Sequence, residues 1–331
     1  MSNQPVAMTI GEPGGVGGEI AHLAWRALRH SGPTFFVIDD PARLERIGAP
    51  VTDIASPDDA HATFPDRLPV IALSQPVTAE PGRASPSTAA SVIESIERAV
   101  AFAIDGRASA VVTNPIQKSA LNAAGFAFPG HTEFLGALCS PDDDPSPTAP
   151  IMMLAGPRLK TVPATVHEPL ARAVESLSTE KLETIGARVH SALKRDFGID
   201  APRVVFSGLN PHAGEDGLLG AEDETIIAPA VDALRARGLD VRGPAPADTL
   251  FHEEARETYD AVICMYHDQA LIPVKTLDFH GTVNVTLGLP IVRTSPDHGT
   301  ALDLAGTGRA RPDSLIAAVK LAAEIAARRH S

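Results

Sequence analysis

Cysteine is almost missing from this chain: Cys139 and Cys264 are the only two. Two distant thiols give neither a disulfide framework nor a C-x-x-C metal knuckle, so a reducing cytoplasm is the simplest compartment. Aromatic residues are scarce as well, at 4% of the sequence. The core must therefore come mainly from Ala, Val, Ile and Leu, a mixture that suits a parallel sheet covered by helices. Basic residues are in deficit: 28 Lys and Arg against 41 Asp and Glu leave a formal charge of −13. That argues against a general nucleic-acid binder, which needs a basic face. It leaves room for one local Lys/Arg cluster that holds a phosphorylated small molecule. No window reaches the apolar length of a membrane span, and the first residues lack the basic-then-apolar pattern of a signal peptide.

Several catalytic signatures are absent too. The glycine turn at 11–18, Gly-Glu-Pro-Gly-Gly-Val-Gly-Gly, is followed by no Gly-Lys-Ser/Thr, so it is not a Walker A loop. A G-x-G-x-x-G count from Gly15 fails at Ile20. Two readings of the turn stay open: a tight strand-to-helix connection, or a wall where backbone approaches a ligand. There is no G-x-S-x-G elbow for a serine hydrolase and no H-E-x-x-H metal pair.

What is present is alternation. A buried strand is expected at 6–10, then a helix from about residue 19 with Ile20, Leu23, Ala24, Ala27 and Leu28 on one stripe. Strands follow at 35–38, 70–73 and 108–112, with an amphipathic helix over 87–103. The Pro- and Asp-rich stretch 140–150 reads as a loop. Further strands are expected at 159–166, 203–207 and 261–265. Helices are expected at 178–198, capped by Ser178 and stopped by Gly198, after residue 212 to about 238, and from Pro312. With 331 residues, this pattern predicts an α/β protein of two domains or one large one, with a largely parallel or mixed sheet.

In such sheets ligands bind beyond the carboxyl ends of the strands, and Asn114, His167, His212 and His267 stand at those ends. The three histidines are candidate metal ligands, although each taken singly also fits a hydrogen-bonded structural role. The run 265–306 concentrates His267, Asp268, Lys275, Asn284, Arg293, His298 and Asp303 among small and apolar residues. Lys275 and Arg293 follow apolar strand-like stretches, and cations so placed are usually paired or bound to anions. With Asn284 they could hold a carboxylate and a phosphate. Asp268 is a candidate proton acceptor. Asp248 could act likewise or cap a turn. His131 and Thr132 could reach a phosphate, or Thr132 could cap a helix with Glu133 in its first turn.

The blocks 8–13 (MTIGEP), 113–116 (TNPI), 130–134 (GHTEF), 208–215 (GLNPHAGE), 266–269 (YHDQ), 283–290 (VNVTLGLP) and 297–303 (DHGTALD) are long and uncommon. They are similar to those of the PdxA family, the 4-hydroxythreonine-4-phosphate dehydrogenases of vitamin B6 biosynthesis, across essentially the whole chain. The first loop, Ala270 and the stretch 279–281 depart from the usual pattern, none at a proposed ligand. The resemblance implies a fold like that of isocitrate and isopropylmalate dehydrogenases, with two α/β/α domains around a cleft. The first would comprise 1–130 plus 285–331, on the dinucleotide side, and the second 131–284, carrying the metal ligands and dimer interface. It implies His167, His212 and His267 as ligands of one divalent metal, zinc, magnesium or cobalt. It implies His131, Thr132, Asp248, Asp268, Lys275, Asn284 and Arg293 as substrate contacts, with Asp268 or Lys275 as general base. NAD or NADP would lie along His298, Gly299, Ala301 and Asp303. A homodimer with the active site at the subunit interface follows from the same likeness.

The reaction so implied is oxidation of 4-phosphooxy-L-threonine at C3, then metal-assisted decarboxylation to 3-amino-2-oxopropyl phosphate. Rivals are a dehydrogenase of 4-phospho-D-threonate or 4-phospho-D-erythronate, a metal-dependent hydrolase of phosphorylated substrates, and a non-catalytic anion binder. Sequence does not separate the amine from the hydroxyl at C2 of the substrate.

Overall fold

The computed structural model describes residues 4–128, 130–140 and 150–329. In chain order, β1 (Val6–Thr9) leads through the glycine turn into α1 (Gly17–Leu28) and β2 (Phe35–Asp39). Asp40 caps α2 (Pro41–Arg46) by accepting from the Ala42 N–H, and Pro41 supplies a fitting first-turn φ. Next come β3 (Val51–Asp53), α3 (Ala60–Thr63), β4 (Leu68–Ala72), α4 (Ala89–Ile104), β5 (Ala110–Val112), α5 (Lys118–Ala123) and α6 (His131–Cys139). Then follow β6 (Ile151–Ala155), β7 (Lys160–Pro163), α7 (Leu170–Glu175) and α8 (Thr179–Phe197). The two end signals of α8 act as expected: Ser178 accepts from the Lys181 N–H, and Gly198 adopts φ 67°. After β8 (Val204–Ser207), a π-helical turn at Asp223–Ile227 runs into α9 (Ala228–Ala236). The chain ends with β9 (Val241–Ala245), α10 (Glu253–Arg256), β10 (Ala261–Cys264), α11 (His267–Leu277), β11 (Val283–Leu287), β12 (Arg293–Pro296) and α12 (Asp313–Arg329).

These elements form two units, Met1–Pro150 with Leu289–Ser331, and Ile151–Gly288. The first carries strands in the order β3-β4-β2-β1-β5-β12, all pairings parallel. Both faces are covered: α1 packs with α12, and α4 with α6. That explains why β1 is buried at every position instead of alternating. The second unit orders its strands β11-β6-β7-β10-β8-β9. Here β11-β6 and β6-β7 are antiparallel and the remaining pairings parallel. The class is α/β, as the alternation predicts.

Four local expectations change. The stretch 49–87 holds two strands, β3 and β4, where one was legible. The strand expected at 159–166 stops at Pro163. Residues 267–277 form α11, so Lys275 stands on a helix and not in apolar strand. The segment 131–140 belongs to the first unit, because Phe134 and Leu135 of α6 enter its core beside Val92 and Ile96 of α4. Of the loop expected at 140–150, residues 141–149 lie outside the described residues.

Candidate active site

The residues singled out by sequence fall into two sets, one in each unit. In the first unit the strand order reverses between β1 and β5, the place where parallel sheets take ligands. Asn114 follows β5 there. Its Nδ2 donates to the Thr9 carbonyl at 2.9 Å, while its buried Oδ1 has no hydrogen-bond partner among the described residues. Arg293 opens β12, is 4% exposed, and donates from Nε and Nη2 to Thr113 Oγ1 at 3.2 and 2.6 Å. Burial lowers its pKa to about 10, so the guanidinium remains charged at neutral pH.

His131 begins α6. Burial, then the positive charges of Arg293 and Lys118, hold its pKa well below the usual 6.5. Its ring is therefore neutral, and Nε2 is buried without a partner among the described residues. Gly130 occupies the cap position, so Thr132 lies in the first helical turn and not at the cap. Together, a buried guanidinium, a lysine and the start of a helix create a positive field around a neutral imidazole. This is the chemistry of an anion subsite.

The glycine turn resolves toward its packing role. A Cβ at Gly14 would stand 2.1 Å from the Arg83 carbonyl, at Gly15 2.6 Å from the Thr300 carbonyl, and at Gly17 2.8 Å from the Ile10 carbonyl. Close approach of protein backbone explains all three glycines. The same contact draws the 298–306 segment against the turn: Val16 N–H donates to the Thr300 carbonyl, and Gly306 N–H donates to Glu19 Oε1 at 2.6 Å. On that segment His298 Nδ1 lies 2.8 Å from the Gly299 carbonyl, Gly299 is exposed, Ala301 adopts φ 47°, and Asp303 sits exposed in a 3-10 turn.

In the second unit His167 follows β7 and His267 opens α11. Their ring centroids are 6.0 Å apart, and both line a cavity of about 360 Å³ together with Asp268 and Tyr266. His267 Nδ1 lies 2.7 Å from Asp268 Oδ1, a carboxylate that accepts from an Nδ1–H and so fixes the ring orientation. Two braces hold these strand ends. Thr165 Oγ1 donates to the Met265 carbonyl at 2.8 Å. Gln269 accepts from Ser207 Oγ and Met265 N–H at 2.7 Å each and donates to the Gly208 carbonyl at 2.8 Å.

His212 sits in the turn after β8. His212, Ala213, Glu215 and Asp216 all adopt positive φ, costly for residues with a Cβ. Buried Asp223 holds the turn by accepting from the Leu209 and Asn210 N–H groups at 2.8 and 3.1 Å. The 3-10 turn that carries Asp248 packs against it. Lys275 lies two turns along α11 from His267, its Nζ 5.3 Å from the Phe279 ring centroid. Asn284 is on β11, with a buried Oδ1 that has no hydrogen-bond partner among the described residues.

His167 and His267 bring two imidazoles to one cavity, but no group of three His, Cys, Asp or Glu side chains is gathered among the described residues. Sequence reasoning missed Lys118, Gln269, Asp223 and the buried pair Asp39–Arg43, whose Arg43 Nη2 donates to the Pro13 carbonyl at 3.0 Å. Lys118, Gln269 and Asp223 carry no spacing signal, and the Asp39–Arg43 pair, although four residues apart, joins the end of β2 to α2. They are set by three-dimensional neighbours.

Fold and strand-end chemistry describe a two-unit α/β protein with a buried guanidinium near a neutral histidine on one unit and strand-end imidazoles on the other. Residues 33–322 match the model of the pyridoxal phosphate biosynthetic protein PdxA. The chain is 54% identical to the 4-hydroxythreonine-4-phosphate dehydrogenase of Caulobacter vibrioides, over 99% of both chains. It is 52% identical to that of Methylorubrum populi, over 98% of this chain and 95% of the relative. Among solved structures, the 4-hydroxythreonine-4-phosphate dehydrogenase of Klebsiella pneumoniae superposes with a TM-score of 0.84 at 37% identity, covering 98% of this chain and 99% of that one. The chain belongs to the PdxA family of pyridoxal phosphate biosynthesis, and it is an oxidoreductase. Among the described residues no helix is long and apolar enough to cross a membrane.

Proposed function

We propose that this chain oxidises 4-hydroxythreonine 4-phosphate at C3 with NAD or NADP, in the cytoplasm, and that the product then decarboxylates to 3-amino-2-oxopropyl phosphate. Full-length similarity to dehydrogenases of that name supports the reading. The observation that carries it is the positive field of Arg293 and Lys118 around neutral His131.

In this reading Arg293, His131 and Thr132 grip one anionic end of the substrate. Lys275, Asn284 and Asp248 orient the rest, so that the C3 hydroxyl meets its base in a fixed geometry. His167, His212 and His267, drawn from both subunits of a homodimer, would hold one divalent ion, zinc, magnesium or cobalt. When bound, that ion supplies Lewis acidity toward substrate oxygens, and the nicotinamide along His298, Gly299, Ala301 and Asp303 supplies the hydride acceptor. Asp268 or Lys275 takes the hydroxyl proton as the C3 hydride departs and the carbonyl forms. The resulting β-keto acid loses carbon dioxide, and the cations of the site stabilise the enolate left behind.

A substrate panel tests this. NADH or NADPH formation is measured with 4-hydroxythreonine 4-phosphate, 4-phospho-D-threonate and 4-phospho-D-erythronate. The proposal expects the first to lead in kcat/KM by at least tenfold. A lead by either phosphosugar acid would reassign the substrate.

A further inference from the structure

The first unit carries a second cluster of cations, at the end of its sheet opposite the strand-end site. A concavity of about 560 Å³ is lined by His22, Trp25, Arg26, Arg29 and His30 of the α1 region, with Gly48, Pro50 and Asp66 across it. Pro50 and Asp66 come just before β3 and β4, so the cluster lies at the amino ends of the strands, whereas Thr113 and Asn114 follow a carboxyl end.

The platform of this cavity is Trp25. It is 2% exposed and its Nε1 donates to the Phe64 carbonyl at 2.8 Å, so the ring is fixed. The Arg29 guanidinium lies over it at 5.1 Å from the ring centroid. The His22 ring is stacked on it at 6.1 Å and 29°. Neither Arg26 nor Arg29 has a hydrogen-bond or salt-bridge partner for its guanidinium among the described residues. Basic residues at a helix end often serve the last carbonyls, but these guanidinia donate to none. Stacking instead fixes the plane of Arg29 and leaves its N–H edges available, the preorganised form of a bidentate phosphate grip. Burial and the charge of Arg26 lower the His22 pKa, so its ring is a neutral donor and acceptor.

We propose that this cavity is a binding site for a small phosphate monoester, held by Arg26 and Arg29, with His22 beside the phosphate and Asp66 taking a hydroxyl of the attached group. In a chain of net charge −13, two guanidinia without carboxylate partners in one concavity are what an anion would select. The inference is independent of the dehydrogenase reading, since it uses no residue of that site.

Calorimetric titration with sn-glycerol 3-phosphate tests it, on the wild type, the double variant Arg26→Gln/Arg29→Gln, and Arg293→Gln. Glutamine keeps helix propensity at Arg26, exposed in α1, and at Arg29, its half-buried C-cap, and circular dichroism confirms folding. The expected result is two sites per chain in the wild type, one of them lost in the double variant and retained in Arg293→Gln. Arg29→Lys should weaken that site at least tenfold, because charge without a stacked plane is insufficient. A double variant that keeps every site of the wild type, or an Arg293→Gln variant that loses the same site, would overturn the proposal.

Discussion

Arg293 and Thr113 are joined across the β5–β12 edge by two hydrogen bonds to one hydroxyl, with the guanidinium buried. Thr113 thus sets where the positive charge points. Hydrogen bonds to buried charged groups contribute about 1.5–3 kcal/mol. Thr113→Val should therefore raise KM for the phosphorylated substrate by roughly 10- to 100-fold. Steady-state kinetics check this, and an unchanged KM would show that the threonine does not aim the cation.

The neutral state of His131 gives a prediction about pH. Its folded pKa lies well below 6.5, while in the unfolded chain it titrates near that value. Between the two values the unfolded state binds the extra proton, so stability falls as pH drops through the window. His131→Gln should flatten the acid limb of the Tm profile below about pH 6.5. An unaltered limb would mean that other groups govern it.

The buried pair under the glycine turn behaves differently. Asp39 keeps a pKa of about 6 even beside Arg43, because burial outweighs the counter-charge. Its proton is held to higher pH folded than unfolded, so losing Arg43 harms most where the carboxylate must be ionised. Arg43→Met should destabilise by about 3–5 kcal/mol at about pH 8 and by less at about pH 5. Urea unfolding at the two pH values measures the difference, and equal losses would contradict it.

Gln269 ties the ends of β8 and β10 to the first turn of α11, the turn that presents His267. Gln269→Leu should lower divalent-metal affinity and kcat by about 10- to 100-fold with the fold retained. Metal titration alongside kinetics tests it. Unchanged affinity would reduce Gln269 to a packing residue.

Much of this was legible in the chain itself. Strand–helix alternation, the Ser178 cap and the Gly198 stop come from local chemistry, so they read directly. The strand-end histidines were visible because parallel sheets use those ends. Two features were hidden. The stretch 272–274 before Lys275 looks like apolar strand, yet it lies inside a helix despite Pro273. Lys118 of α5 stands beside Gly130 and His131 at the start of α6, a proximity that no spacing along the sequence encodes. The glycine turn fits two readings by sequence, and its glycines answer first to the carbonyls of Arg83, Thr300 and Ile10.

The central claim is redox chemistry on a phosphorylated hydroxy acid, and one assay addresses it most directly. Purified protein is given 4-hydroxythreonine 4-phosphate, a divalent metal and NAD or NADP, and reduced nicotinamide is followed against carbon dioxide released. The account predicts one reduced nicotinamide and one carbon dioxide per substrate consumed. Substrate loss without nicotinamide reduction, or no turnover with either dinucleotide, would contradict it.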